Sequence, residues 1–112
     1  MSVSKIDIGG LEVISCRSVN AAGRPPLLFV HGAFAGAWCW EVHFLPWFAE
    51  RGYDAHAISL RGHGGSDGRA ALDDSSIADY VDDLAVVADS LGRSSLLVGH
   101  SMGGFVVQKF LE

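Results

Sequence analysis

The sequence predicts an α/β protein, a mostly parallel sheet flanked by helices and opened by an antiparallel hairpin. Three observations carry this. Apolar-rich runs, "LLFV", "YDAHAISL" and "SSLLVG", alternate with helix-length segments from residue 27 onward. The first two are apolar enough to suggest strands buried on both faces. Each leads into a glycine-bearing loop, HGAFAGAW, RGHGGSDG or GHSMGG, at the carboxyl edge of the sheet, where functional groups collect in such folds.

The elements follow in order. "KIDIGGLEVI" reads as a two-residue hairpin, because Gly9-Gly10 can take the positive φ angles of a primed turn. That turn sets Ile8 opposite Leu11 and Ile6 opposite Val13 on one buried face, with Lys5, Asp7 and Glu12 pointing the other way. "NAAGRPP" is a loop, and "LLFVHG" is the first doubly buried strand. "WCWEVHFLPWFAERG" predicts a helix with Trp40, Phe44 and Phe48 at helical spacing and Gly52 as its C-terminal stop. Pro46 starts or kinks it. "YDAHAISL" is the next strand. Ile77, Val81, Leu84, Ala88 and Leu91 then form the stripe of an amphipathic helix. It starts at a Ser76-x-x-Asp79 capping box and ends at Gly92. "SSLLVGHS" is the last strand, and "MGGFVVQKFLE" begins another helix.

Bulk properties narrow the function. A chain of 112 residues is one domain at most. Its net charge of −5 disfavours nucleic acid and anionic membranes as partners. The acidic residues Asp73, Asp74, Asp79, Asp82, Asp83 and Asp89 read as one solvated face. Cys16 and Cys39 make neither a disulfide framework nor a metal motif. The N-terminus MSVSKIDIGG lacks the pattern of a signal peptide, and no apolar run approaches a membrane span. A soluble, cytoplasmic protein is the expectation.

The chemistry concentrates at Gly99-His100-Ser101-Met102-Gly103. A serine between two such glycines, with a strand before and a helix after, matches the G-x-S-x-G elbow in its required context. The sharp turn strains the serine backbone and presents its hydroxyl outward. A side chain at Gly99 or Gly103 would collide with the neighbouring strand or helix. The helix N-terminus leaves free N–H groups beside the hydroxyl, so the Met102 amide is placed to donate to a developing oxyanion.

"LLFVHGAFAGAW", "LRGHGGSDG" and "LLVGHSMGG", in this order, resemble the α/β-hydrolase superfamily, above all its small bacterial esterase-like members and the plant esterase and hydroxynitrile-lyase group. The resemblance runs from residue 3 to 112. It implies the α/β-hydrolase fold, Ser101 as nucleophile, and the backbone amides of Ala33 and Met102 as the oxyanion hole. No GxGxxG follows a strand, and neither a Walker A lysine nor an HExxH is present, so no cofactor and no metal are expected. Ser59 departs from the pattern by replacing an aspartate frequent in the family, a change expected to alter loop hydrogen bonding without catalytic consequence.

The family's acid and histidine follow the serine along the chain. Residues 1–112 are therefore expected to form the N-terminal part of a single α/β-hydrolase domain, inactive alone. None of the histidines present is a good substitute base. His100 is expected to point to the opposite face from Ser101, and His31 and His63 to bond loop backbone. His43 and His56 lie in a helix and a strand. His63, on a loop at the correct edge, comes nearest to the role. The expected reaction is hydrolysis of a carboxylic ester or related acyl compound through an acyl-Ser101 intermediate. Lyase or haloperoxidase-like chemistry on this fold, and a non-catalytic half-domain, are the alternatives. The epoxide-hydrolase and dehalogenase branches use aspartate at the elbow, which argues against them. Phe34 and Trp38 could line an acyl pocket, although core packing is the commoner use of such aromatics. The far edge of residues 95–100 is expected to be sticky and to promote self-association.

Overall fold

The computed structural model describes residues 2–112. Gly9 and Gly10 adopt φ of 60° and 87°, as a primed two-residue turn requires. They join β1 (Val3–Ile8) to β2 (Leu11–Cys16), with Ile8 opposite Leu11 and Ile6 opposite Val13. The hairpin differs from expectation at both strands. Ile6, expected on a buried face, is half exposed, because β1 is the outermost strand of the sheet. β2 is buried on both faces, because it lies inside the sheet and helices cover it from both sides.

Three short strands complete the sheet: β3 (Leu27–Val30), β4 (Ala55–Ile58) and β5 (Leu96–Gly99). The strand order is β1-β2-β4-β3-β5. β4 runs antiparallel to β2, while β3 is parallel to both β4 and β5. The predicted loops HGAFAGAW, RGHGGSDG and GHSMGG thus leave the same sheet edge.

On one face, Ile14, Phe29 and Ala57 pack against Trp40, Leu45 and Ala49. The single helix expected here is two, α1 (Trp38–Glu41) and α2 (Phe44–Glu50). Pro46 explains the break: it has no N–H for the Val42 carbonyl, and its ring crowds that carbonyl in a continuous helix. The predicted aromatic spacing survives, with the Phe29 ring 4.9 Å from Trp40 and 5.6 Å from Phe48. Gly52, at φ 94°, ends the segment as expected.

On the other face, Val13, Leu28, Val30 and Ile58 pack against α3 (Ile77–Ser90) and α4 (Met102–Leu111). The capping box is present, Asp79 N–H donating to Ser76 Oγ and Ser76 N–H to Asp79 Oδ2. The buried stripe of α3 is rotated from the predicted one and centres on Tyr80, Leu84 and Val87. Ile77 lies at its exposed margin. Asp83 also departs from the solvated acidic face. It is buried, and it accepts from the Arg61 backbone N–H at 2.9 Å and from the guanidinium at 2.9 Å. Arg61 sits on the loop after β4, so this pair ties that loop to α3. No helix among the described residues is long and apolar enough to cross a membrane.

Candidate active site

Ser101 has φ 55° and ψ −119°, a conformation that costs a non-glycine residue about 1–3 kcal/mol. Its neighbours over-determine it. A Cβ on Gly99 would lie 2.6 Å from the Gly103 carbonyl oxygen, and one on Gly103 would strike the carbonyl oxygens of Val30 and His31. The two glycines let α4 start directly against the ends of β5 and β3. The turn is closed by the Gly103 N–H donating to the His100 carbonyl and the Gly104 N–H to the Ser101 carbonyl. The expected elbow is therefore observed, between a strand ending at Gly99 and a helix starting at Met102.

The serine side chain is exposed and makes no cap bond to the helix behind it. Gly32 packs beside it, since a Cβ there would be 3.3 Å from Ser101 Cβ. That contact brings the loop carrying Ala33 to the elbow. Among the described residues, the N–H groups of Ala33 and Met102 have no hydrogen-bond acceptor, and Ala33 is exposed. Phe34 follows at φ 59°. It and Ser101 are the non-glycine residues of positive φ among those described, and both border this spot.

Two histidines depart from their expected places. His43 lies in the turn between α1 and α2 and not in a helix, because Pro46 breaks the segment. His100, expected to face away from Ser101, sets its Nδ1 against the same Gly32 that packs beside Ser101 Cβ. His31 is fully buried. Its Nε2 accepts the Leu60 N–H, so Nδ1 carries the proton and donates to the Gly32 carbonyl. Burial lowers its pKa to about 4, so it is a neutral strut under the loop. His63 Nδ1 donates to the Arg61 carbonyl, and its ring packs 4.9 Å from His31 and 6.4 Å from Phe34. His56 is buried against Ser15 Oγ at 2.7 Å, and His43 is exposed. His100 is exposed, with its Nδ1 against Gly32. Among the described residues, no side chain hydrogen-bonds the Ser101 hydroxyl.

Phe34 and Trp38 are not core residues. They are 83 % and 58 % exposed, because the positive φ at Phe34 and the start of α1 at Trp38 turn both side chains outward. With His63, Leu72 and Arg69 they line a cleft between the loops after β3 and β4. Trp40, by contrast, is in the core. A larger recess opens between the ends of α3 and α4, lined by Gly92, Leu97, Phe110 and Leu111. Ser94 and Ser95 also line it, and neither stands at a strand-to-helix elbow.

A doubly covered sheet whose β5–α4 turn presents a strained serine above two obligatory glycines defines the class: a protein of α/β-hydrolase fold. Comparison with known sequences agrees, and the chain belongs to the alpha/beta hydrolase family, which matches residues 27–111. Its relatives include two chemistries. It is 34 % identical over 87 residues to methyl jasmonate esterase 1 of Vitis vinifera, covering 76 % of this chain and 33 % of that protein. It is 34 % identical over 105 residues to epoxide hydrolase A of Mycobacterium tuberculosis, covering 91 % and 31 %. Among solved structures, epoxide hydrolase VrEH1 from Vigna radiata superposes with a TM-score of 0.79 at 27 % identity, over 97 % of this chain and 35 % of that one. The thioesterase domain from the curacin biosynthetic pathway gives 0.78 at 28 %, over 98 % and 39 %. The chain spans about a third of the length of the sequence relatives it matches.

Proposed function

We propose that this chain supplies the nucleophile and oxyanion hole of a serine hydrolase acting on carboxylic esters or related acyl compounds. The single observation that carries the reading is Ser101, free at its hydroxyl and held at positive φ at the start of α4. The Ser101 oxygen would attack the acyl carbon and give its proton to a base. As the bond from the acyl carbon to the alkoxy oxygen breaks, that proton would pass to the leaving alcohol. The carbonyl oxygen would gather negative charge between the Ala33 and Met102 amides. Loss of one such donor typically lowers the rate about 10²–10³-fold.

The epoxide-hydrolase relatives raise the alternative, and elbow chemistry weighs against it. A carboxylate that opens an epoxide leaves an ester, which water can cleave. A serine oxygen would leave an ether, which water does not cleave, so the enzyme would stop after one event. An acyl-serine is an ester and can turn over. The base and acid of the whole enzyme are proposed to lie outside these residues, because no side chain among those described hydrogen-bonds the Ser101 hydroxyl and His31 spends both ring nitrogens on the fold.

The test presents an activated acyl ester and a styrene-type epoxide side by side to the parent and to Ser101→Ala. An acyl adduct on Ser101 by peptide mass spectrometry, absent in the variant, supports the reading, as does the absence of diol. Diol formation that survives Ser101→Ala overturns it.

Self-association is proposed through the outer edge of β5. β5 pairs with β3 alone among the described residues, and Leu96, Val98 and Phe105 are exposed there. Unpaired apolar edges template further strands. Sedimentation at micromolar concentration should show oligomers of residues 1–112, reduced by Val98→Lys; a monodisperse monomer would contradict it.

A further inference from the structure

The Ser59 position, where the family frequently has an aspartate, is fully buried and sits at the meeting point of the loops that build the site. Its Oγ accepts the Ala37 N–H at 2.9 Å, at the end of the 32–37 loop that carries Ala33. A hydroxyl that accepts there must place its own proton, and it gives it to Glu12 Oε1 at 2.8 Å. The same carboxylate oxygen accepts the Gly65 N–H at 2.9 Å. Glu12, expected on the outer face of the hairpin, is thus turned under the loop after β4. β-Strand parity sets its direction, but the neighbour it meets comes from residues far along the chain.

The surroundings are shaped for that carboxylate. A Cβ on Gly65 would lie 2.6 Å from Glu12 Oε2, and one on Gly64 2.8 Å from Oε1. A Cβ on Gly36 would be 3.1 Å from Gly64 Cα, so the two loops touch directly above it. Backbone pairing fixes the Glu12 position: the Ser59 N–H donates to the Glu12 carbonyl, and the Glu12 N–H to Ser66 Oγ. The hydrogen bonds therefore run Ala37 N–H to Ser59 O–H to the Glu12 carboxylate, with Gly65 joining from the other side. Ionised acceptors strengthen such chains.

We infer that Glu12 is a positioning residue for the Ser101 site. Its negative charge, delivered from β2 through the Ser59 hydroxyl, does the work of the carboxylate absent at position 59. It fixes the loop that aims the Ala33 amide. The inference rests on the ester-hydrolysis reading for its effect on rate, and on hydrogen bonds alone for its effect on the loop.

A double-substitution cycle tests it. Glu12→Ala removes the acceptor and vacates the space beside Ser59. Ser59→Asp alone puts two carboxylates side by side. Together they place one carboxylate directly on the Ala37 N–H. Each single substitution should therefore be harmful and the pair better than either. Amide hydrogen exchange by NMR is the first readout. Glu12→Ala should speed exchange at Ala37 and Gly65 about tenfold, and adding Ser59→Asp should restore Ala37 but not Gly65. The second readout is the rate of Ser101 phosphonylation by a fluorophosphonate, where a misplaced donor should slow labelling by up to about 10²-fold, again rescued in the pair. Should Glu12→Ala fail to fold, Ser59→Ala replaces it, with faster exchange expected at Ala37 alone. Unmoved Ala37 exchange, a pair worse than both singles, or an unchanged labelling rate in Glu12→Ala overturns the inference. A parent in which Ser101 takes no label in preference to the other serines would refute the hydrolase reading, while the exchange data would still decide the clamp.

Discussion

Ser76 and Ser101 hold the same station, the residue before a helix, on α3 and α4. Ser76 is extended, at φ −107° and ψ 169°, and its Oγ accepts the Asp79 N–H at 3.2 Å. Ser101 stands at φ 55° and ψ −119° and caps nothing. One hydroxyl is spent on its helix; the other is held off it and faces solvent. The residue type is the same, so the backbone decides the role. At Ser76 the chain enters an exposed helix end with room to relax. At Ser101 the glycines at 99 and 103 bring α4 hard against β3 and β5, and the turn has only the strained conformation left.

The largest expected effect comes from removing that room. Gly103→Val drives side-chain atoms into the Val30 and His31 carbonyls and should cost more than about 4 kcal/mol in thermal melting. The matching change at the other helix, Ala78→Val, falls on an exposed residue and should cost about 0.7 kcal/mol or less, the propensity difference.

Next comes acid. His31, under the elbow, and His56, in the sheet, are both lowered to about 4 by burial. Unfolded, each titrates near 6.5. Between those values the unfolded chain binds more protons than the folded one, so stability falls as pH drops from about 6.5 to 4. The loss is about 3 kcal/mol per histidine, and below 4 these groups add no further loss. Melting temperatures that stay level between pH 7 and 4.5 would contradict the burial of both imidazoles.

The smallest effects carry opposite signs and sharpen the comparison most. Ser76→Ala should destabilise by about 1 kcal/mol, the value of a cap. Ser101→Gly should stabilise by about 1 kcal/mol, because glycine accepts positive φ freely. Two losses of equal size would show that Ser101 is an ordinary cap.

What could be read from the sequence follows the same division. The hairpin register, the capping box and the elbow were legible because each is dictated by residues a few positions apart. The turn glycines at 9 and 10 and the glycines around Ser101 leave the backbone little choice. Alternation and spacing did not reveal what lies across the fold. Asp83 looked like one more solvated acid until Arg61 came to it from the loop after β4. Glu12 looked outward until Gly65 and Ser59 closed over it, although the serine at 59 was the available clue. The break between α1 and α2 was half visible, in Pro46. Burial of β2 on both faces depends on helices far from it in the chain.

The central claim is that the fold, and not serine chemistry alone, makes Ser101 reactive. The direct measurement is labelling with a fluorophosphonate, located by peptide mass spectrometry, in the folded chain and again in denaturant. The account predicts an adduct on Ser101 in preference to Ser76 and every other serine, with that preference lost on unfolding. Equal labelling of Ser76 and Ser101 in the folded protein would contradict it.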